Sequence, residues 1–370
     1  MKNKADKPMH EQLVQISKRA ALPAWQSWLI RILAVLASLV VCAVIIVLFT
    51  GDNPFAIYAT MFKGAVGTSR RIWSLLQGVA MLLCVSLAVT PAFKMRFWNI
   101  GAEGQVMIGA LACAAVMITL SGVITSNVVM ILLMFIASLA AGALWGFLPA
   151  FFKSRWNTNE TLFTLMMNYI AIQLCAFFII LWENPKGAGQ IGIINAKTEL
   201  GWLPSLAGQQ YLIPILVVAI LTVLLYVYLK YSKHGYEISV VGESERTARY
   251  AGIKVERVIV RTMVLSGAIC GLVGMLLVGG TDHTLTTTLA GGRGFTAVMV
   301  SWLAKFNPIG MIFTSFLLVF LQLGAKEIAS VFFLNESFAD ILTGVILFFI
   351  IGCEFFINYK IEFLKISKEA

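Results

Sequence analysis

Residues 127–152 read NVVMILLMFIASLAAGALWGFLPAFF, a run of 26 without one Asp, Glu, Lys or Arg. A helix needs about 20 mostly apolar residues to cross the hydrocarbon core of a bilayer, so this stretch alone predicts a membrane span. Eight more runs of the same kind flank it: Ile32–Thr50, Ile72–Phe93, Val106–Leu120, Leu162–Trp182, Leu212–Leu229, Met263–Gly280, Ile309–Leu323 and Ala339–Phe356. A tenth, Gly294–Leu303, is short and glycine-flanked, which predicts a broken or re-entrant helix. Such a piece survives only where protein or a water-filled path takes its backbone polar groups.

The totals agree with the runs. Of 370 residues, 59% are hydrophobic and 12% charged, and the mean hydropathy is +0.87. Soluble domains carry about 25% charged residues. The expectation is therefore an all-α, polytopic membrane protein with about ten transmembrane helices. It divides into an N-terminal tail (1–31), a transmembrane domain (32–357) containing a long loop at 230–261, and a C-terminal tail (358–370). With both termini cytoplasmic, the inner segments carry 21 of the 28 Lys and Arg residues and the outer segments 7. That bias is the one cytoplasmic loops show.

The charge of +10 sits in short stretches between apolar runs. It fits loops facing anionic lipid rather than nucleic acid, which calls for a dense basic and aromatic stripe. Cys42, Cys84, Cys113, Cys175, Cys270 and Cys353 all lie in apolar runs with no metal-site spacing, and the three His residues are scattered, so no metal site is expected. The N-terminus starts its apolar run too late for a secretory signal. An interfacial helix is expected near Leu13–Trp28.

Two stretches between spans are long. Residues 183–211, with Pro185 and Pro204, read as an external loop. Residues 230–261 read KYSKHGYEISVVGESERTARYAGIKVERVIVR and lie inside. Here Gly242 and Gly252 bracket Glu243–Ala251. Glu243 and Glu245 fall in the first turn, with Arg246 and Arg249 later, as a helix dipole prefers. Glu245 and Arg249 make an i,i+4 pair, and Gly252 suits the left-handed position after a helix. This is a short helix with a stop at each end, either a solvated connector or a rigid rod that docks on a cytosolic partner.

Three further motifs carry polar groups into apolar surroundings. FWNIGAEGQVMIGAL (97–111) places Asn99, Glu103 and Gln105 at a helix start. Asn99 can cap and Glu103 suits the first turn, but an acid beside a span is also a transport-path candidate. NTNETLFTLMMNYIA (157–171) offers Thr158 or Asn159 as a cap, and Asn168 two turns into the span. The Asn168 amide can bond across helices or meet a substrate. GRGFTAVMVSWLAKFNPIGM (292–311) opens with glycines that suit a backbone turn, followed by Phe295.

The run GYEISVVGESERTARYAGI with SGAICGLVGMLLV (266–278) resembles permeases of ABC importers in the branched-chain amino acid and simple sugar group. The other three motifs resemble its nucleoside branch, in the expected order, and the match spans roughly residues 30–357. The resemblance implies a permease paired with ABC ATPase subunits, a second related permease chain and an extracytoplasmic substrate-binding lipoprotein. It implies a nucleoside as cargo, with a simple sugar as the alternative. The loop residues Gly242, Glu243, Glu245, Arg246, Arg249 and Gly252 would then couple to the ATPase. Asn99, Glu103, Gln105, Asn168 and Phe295 would border the substrate path. The chain contains no GxxxxGK[ST] phosphate cradle, so ATP would be bound by the partners and no cofactor by this chain. With no GxSxG, HExxH or paired intramembrane carboxylates, an enzyme is not expected. An ion-gradient-driven secondary transporter is the remaining rival, weakened by the scarcity of acids and histidines in the spans.

Overall fold

A long apolar run in lipid finds no water for its peptide groups, so each closes its own hydrogen bonds as a helix. The computed structural model, which describes residues 14–19, 22–51, 53–206 and 208–363, shows this repeatedly. Its helices are α1 Ala24–Thr50, α2 Pro54–Val66, α3 Ser69–Lys94, α4 Ala102–Leu120, α5 Asn127–Trp156, α6 Glu160–Trp182 and α7 Leu212–Tyr231. They continue with α8 Lys233–Glu243, α9 Glu245–Tyr250, α10 Val255–Leu277, α11 Arg293–Leu303, α12 Pro308–Val331 and α13 Glu336–Asn358. Among the described residues, nine helices are long and apolar enough to cross a membrane, one for each long run. The tenth run is α11, whose 11 residues span ~16 Å at the α-helical rise, about half a crossing. The protein is thus an all-α polytopic membrane protein.

The chain falls into two units, one of residues 1–64 with 321–370, the other of residues 65–320. In the first, α1 packs along α13, and the Arg31 Nε donates to Glu354 Oε1 at 2.9 Å. Strands β1 Val14–Lys18 and β2 Tyr359–Phe363 pair antiparallel, Val14 opposite Phe363 and Lys18 opposite Tyr359. This corrects two expectations. The segment expected to form an interfacial helix from Leu13 is a strand over Val14–Lys18, and the first helix begins at Ala24, inside the supposed tail. The tail expected from 358 likewise continues as a strand. Residues 1–13 and 364–370 of the expected tails lie outside the described residues. Both strands alternate apolar and polar residues (VQISK, YKIEF), the period of a strand with two unlike faces. The 13-residue α2 was not expected either. It lies between the first two long runs.

In the second unit α4, α5 and α10 form the centre, with α3, α6, α7 and α11 around them. Their close approach comes from two glycine pairs on facing helices, Gly142 and Gly146 on α5, Gly267 and Gly271 on α10. A Cβ on any of the four would strike backbone of the opposite helix. Gly109 and Gly274 do the same between α4 and α10. Small residues four apart let backbones touch, and between membrane helices that contact replaces the hydrophobic drive that lipid removes. Ser138 Oγ donates to the Gly109 carbonyl at 3.0 Å and ties α5 to α4. All six cysteines are free and buried.

Candidate functional site

Beyond α10 the helix widens into a π-helical turn, Val278–Asp282, and residues 284–292 run on without a helix until α11 begins. A chain that leaves helical pairing inside a bundle exposes N–H groups, and each buried orphan is costly. Glu103, in the first turn of α4, answers that need. Its Oε1 accepts the Gly292 N–H at 2.7 Å and its Oε2 accepts the Gly294 N–H at 2.6 Å. Gly294 is packed so tightly on the Glu103 backbone that no Cβ fits there. One carboxylate thus caps the N-terminus of α11 from the N-terminus of α4, using two charge-assisted bonds. The broken span expected from the short tenth run is present, and its glycines do form the backbone turn that enters it.

The same helix start is held from its other side by amides. Asn99 Nδ2 donates to Ser266 Oγ at 3.2 Å, and its Oδ1 accepts the Gly101 N–H at 3.0 Å. The Gln105 amide faces the Asn99 amide at 3.4 Å. From α6, Asn168 Oδ1 accepts the Gly104 N–H at 2.8 Å and its Nδ2 donates to the Ile100 carbonyl at 2.9 Å. Thr164 Oγ1 accepts the Ile100 N–H at 3.3 Å. Asn99, Glu103, Gln105 and Asn168 are therefore brought together as one buried cluster. Phe295 stands apart, 44% exposed on α11. Asn99 was expected to cap α4, but Gly101 holds that position without a side-chain bond; Asn99 caps the turn before it. Asn159 caps α6 as expected, accepting the Leu162 N–H at 3.2 Å. Ser266 and Thr164 were in the quoted motifs but not singled out, because a hydroxyl in an apolar run carries no signal until its partner is known.

The long loop differs in detail from its expected form. It holds two helices, α8 and α9, not one over Glu243–Ala251. The break falls at Ser244, which is extended and accepts the Thr247 N–H at 3.2 Å. Gly242 is no stop: it lies inside α8, where a Cβ would strike the Lys94 carbonyl. Gly252 is left-handed at φ 77°, as expected after α9. Arg249 does not pair with Glu245 but with Glu256 at 2.8 Å. Arg261 reaches Glu237 at 2.9 Å. Both helices are thereby fastened to α10 by ion pairs that no local spacing announces. Glu243, Glu245 and Arg246 stay exposed.

At the opposite end of α10, residues 183–211 do not hang free. The Leu203 N–H donates to the Gly279 carbonyl and the Ile194 N–H to the His283 carbonyl, both at 2.8 Å. Asn127 Oδ1 accepts the Gly201 N–H at 2.7 Å. Trp202 stacks on His283 with ring centres 3.8 Å apart. Burial holds the His283 imidazole below its usual range, against the opposing pull of Asp282. Glu183 accepts the Gly187 and Gly189 N–H groups, which draw its carboxyl below the usual value.

Nine long apolar helices among the described residues, a broken span held by Glu103, and two short helices braced to α10 are the features of a membrane transport subunit. Residues 71–351, about three quarters of the chain, match the family described as branched-chain amino acid transport system / permease component, and the chain belongs to that family. It is 28% identical to the glucose ABC transporter permease protein TsgB13 of Haloferax volcanii, over 94% of this chain and 93% of that one. It is 29% identical to the nucleoside ABC transporter permease protein NupB of Lactococcus lactis, over 92% and 95% of the two chains. With the guanosine ABC transporter permease protein NupP of Bacillus subtilis the identity is 27%, over 92% and 97%. No solved structure gives a significant match. The chain is therefore the permease of an ATP-driven importer, multi-pass in the plasma membrane, working with ATPase subunits and a substrate-binding protein. It is a transporter and not an enzyme, and the ion-gradient rival falls away.

Proposed function

We propose that this permease carries nucleosides inward. It works beside a second, related permease chain and receives its cargo from a lipid-anchored binding protein. Both termini and the α8–α9 appendage face the cytoplasm, where the ATPases bind ATP and this chain needs no cofactor. The observation that supports the cargo is similarity over more than nine-tenths of the chain to relatives named for nucleosides and guanosine.

The geometry supplies a mechanism. Glu243, Glu245, Arg246 and Arg249 form the face that meets the ATPase, with Gly242 seating α8 on α3 and Gly252 closing α9. Movement of α8 and α9 passes through the Arg261–Glu237 and Arg249–Glu256 pairs into α10. Glycine contact passes it on to α4, and Glu103 passes it to α11. Asn99, Glu103, Gln105 and Asn168 keep the wall of the substrate path in one piece, and Phe295 offers its exposed ring to the cargo. Access then changes by rocking of packed helices rather than by a chemical step.

The glucose permease relative favours a second reading, in which the cargo is a simple sugar. Proteoliposomes holding the complete importer decide between them. ATP-dependent uptake of labelled guanosine or uridine, undiminished by excess glucose, supports the nucleoside; uptake of glucose alone sinks it. Glu243→Lys, correctly inserted, should abolish uptake and uncouple ATP hydrolysis. Unchanged uptake would remove α8 and α9 from the coupling path.

A further inference from the structure

We infer that the end of the bundle carrying α8 holds a binding site for a planar aromatic anion of the nucleoside monophosphate class. A cavity of 460 Å³ opens there between the C-terminal end of α3, the link to α4, α8 and the end of α11. That volume is within the usual range for small-molecule sites, about 300–1,000 Å³. Its aromatic side is built by Trp98 and Trp302, stacked with ring centres 5.4 Å apart and tilted by 25°. Phe93 and Phe306 brace the pair edge-on. The two indoles remain 44% and 48% exposed. Flat exposed rings backed by others are the platform on which nucleobases stack, whatever their sequence.

The cavity also holds Lys94 and Arg96, neither of which forms an ion pair among the described residues. Arg96 is the more telling. It occupies the left-handed position after α3, at φ 61°, with the Phe97 N–H returning to the Ala92 carbonyl at 2.9 Å. Glycine is the usual residue there, and a bulky side chain is rarely found in that conformation. Backbone strain of this kind clusters where a side chain has a task. Two cations have no purpose for a neutral nucleoside, but they match a phosphate. Ser239 and Glu243 complete the rim from α8; Ser239 can meet a ribose hydroxyl, while Glu243 stands at the edge that the ATPase face continues. A lipid headgroup supplies the phosphate but nothing for the indoles to stack on.

A ligand in this cavity touches α8, the link into α4 and the end of α11 together, so it fixes them against one another. The sense of that control rests on the nucleoside reading above. On that reading the ligand would be the product of phosphoryl transfer from a nucleoside triphosphate to the 5′-hydroxyl of the imported nucleoside, the diphosphate leaving, and it would bind here and slow further import. The site itself rests on local geometry alone.

The test is a fluorescence titration of the complete importer in nanodiscs of neutral phosphatidylcholine, with GMP and then guanosine as probes. GMP should quench tryptophan emission saturably at millimolar concentration or below, and should suppress substrate-stimulated ATP hydrolysis. In the part of the quenching that Trp302→Leu removes, guanosine should bind about tenfold more weakly, for want of charge-assisted bonds to a phosphate; binding of guanosine as cargo persists in that variant. Trp302→Leu should weaken GMP by about tenfold, the weight of one stacked base. Arg96→Gly, which suits the backbone and so leaves the melting temperature unchanged or higher, should weaken it similarly. Three outcomes overturn the site: equal affinity for GMP and guanosine in the Trp302-dependent part of the signal, wild-type responses in both variants, or quenching that requires anionic lipid and that GMP does not reverse. Guanosine uptake is measured on the same particles. If uptake fails while the GMP titration succeeds, the site stands and only its feedback sense is lost.

Discussion

Glu103 shows how one residue can satisfy two helices. An ionised carboxylate is costly in a bundle, but this one accepts two backbone N–H groups that would otherwise be orphans. Glu103→Gln keeps the shape and replaces one acceptor with a donor, so one of the two N–H groups faces another N–H. The expected cost is about 1–3 kcal/mol, that of an unsatisfied buried group, with a marked fall in uptake. Thermal unfolding and transport of the purified variant measure both, and an unchanged melting temperature would refute the clamp. His283 gives a pH dependence. Its folded pKa lies below its free value, chiefly through burial, so the folded state resists protonation. Stability is therefore level above pH about 6.5, the free imidazole value, and declines as pH falls through the window beneath it. The stacked Trp202 reports the change: its emission should shift to the red below that pH and return on neutralisation. His283→Gln should abolish the dependence. At this scale the sequence revealed which residues were out of place in lipid but not what they held. Asn168 was open between a cross-helix bond and a substrate contact. Its two partners are backbone groups 64 and 68 residues away, a distance no local pattern spans.

Elements were far more legible. Every long apolar run is a helix because lipid allows little else, and the broken span was marked by a run too short to cross between glycines. The errors fall where the environment is not lipid. In the long loop, Gly242 looked like a helix stop because a glycine before an acidic turn resembles one. Its lack of a Cβ serves instead the seat of α8 on the Lys94 backbone. The terminal strands alternate apolar and polar residues over only five positions each, VQISK and YKIEF, and their pairing joins segments far apart in the chain, which no local pattern announces. Glycine placement gives this scale its prediction. Gly271→Ala drives a Cβ into the Ser138 carbonyl and towards Gly142, and overpacking of this kind costs about 1–3 kcal/mol. Gly344→Ala, in α13 with open space around it, should be neutral or stabilising by up to about 1 kcal/mol from helix propensity. Thermal unfolding of the two variants side by side separates packing from propensity. Equal effects would mean that the α5–α10 contact is not made through these glycines.

For the whole molecule, the pairing of the two chain ends constrains the path between them. β1 and β2 hydrogen-bond along five residues each, so the segments next to α1 and α13 lie on one side of the membrane. An odd number of crossings would leave them on opposite sides, and among the described residues the long helices number nine. The broken span is the element that can restore the parity. Counting residues 284–292 with α11 as a tenth crossing, half of it without a helix and capped by Glu103, makes the number even. At the start of α11, Arg293 turns back on its own chain, its Nη1 donating to the Leu289 and Ala290 carbonyls at 3.0 and 3.2 Å. The prediction is that cysteines placed at Ser17 and at Tyr359 react with a membrane-impermeant maleimide from the same side. That side should be the cytoplasmic one, so labelling appears in inverted vesicles and not in intact cells. The six native cysteines are buried and should add little background. Labelling of the two positions from opposite sides would refute the strand pairing in the membrane and, with it, the crossing assigned to the broken span. Labelling of both from outside would keep the pairing but reverse the orientation, and would place α8 and α9 beyond the reach of any ATPase.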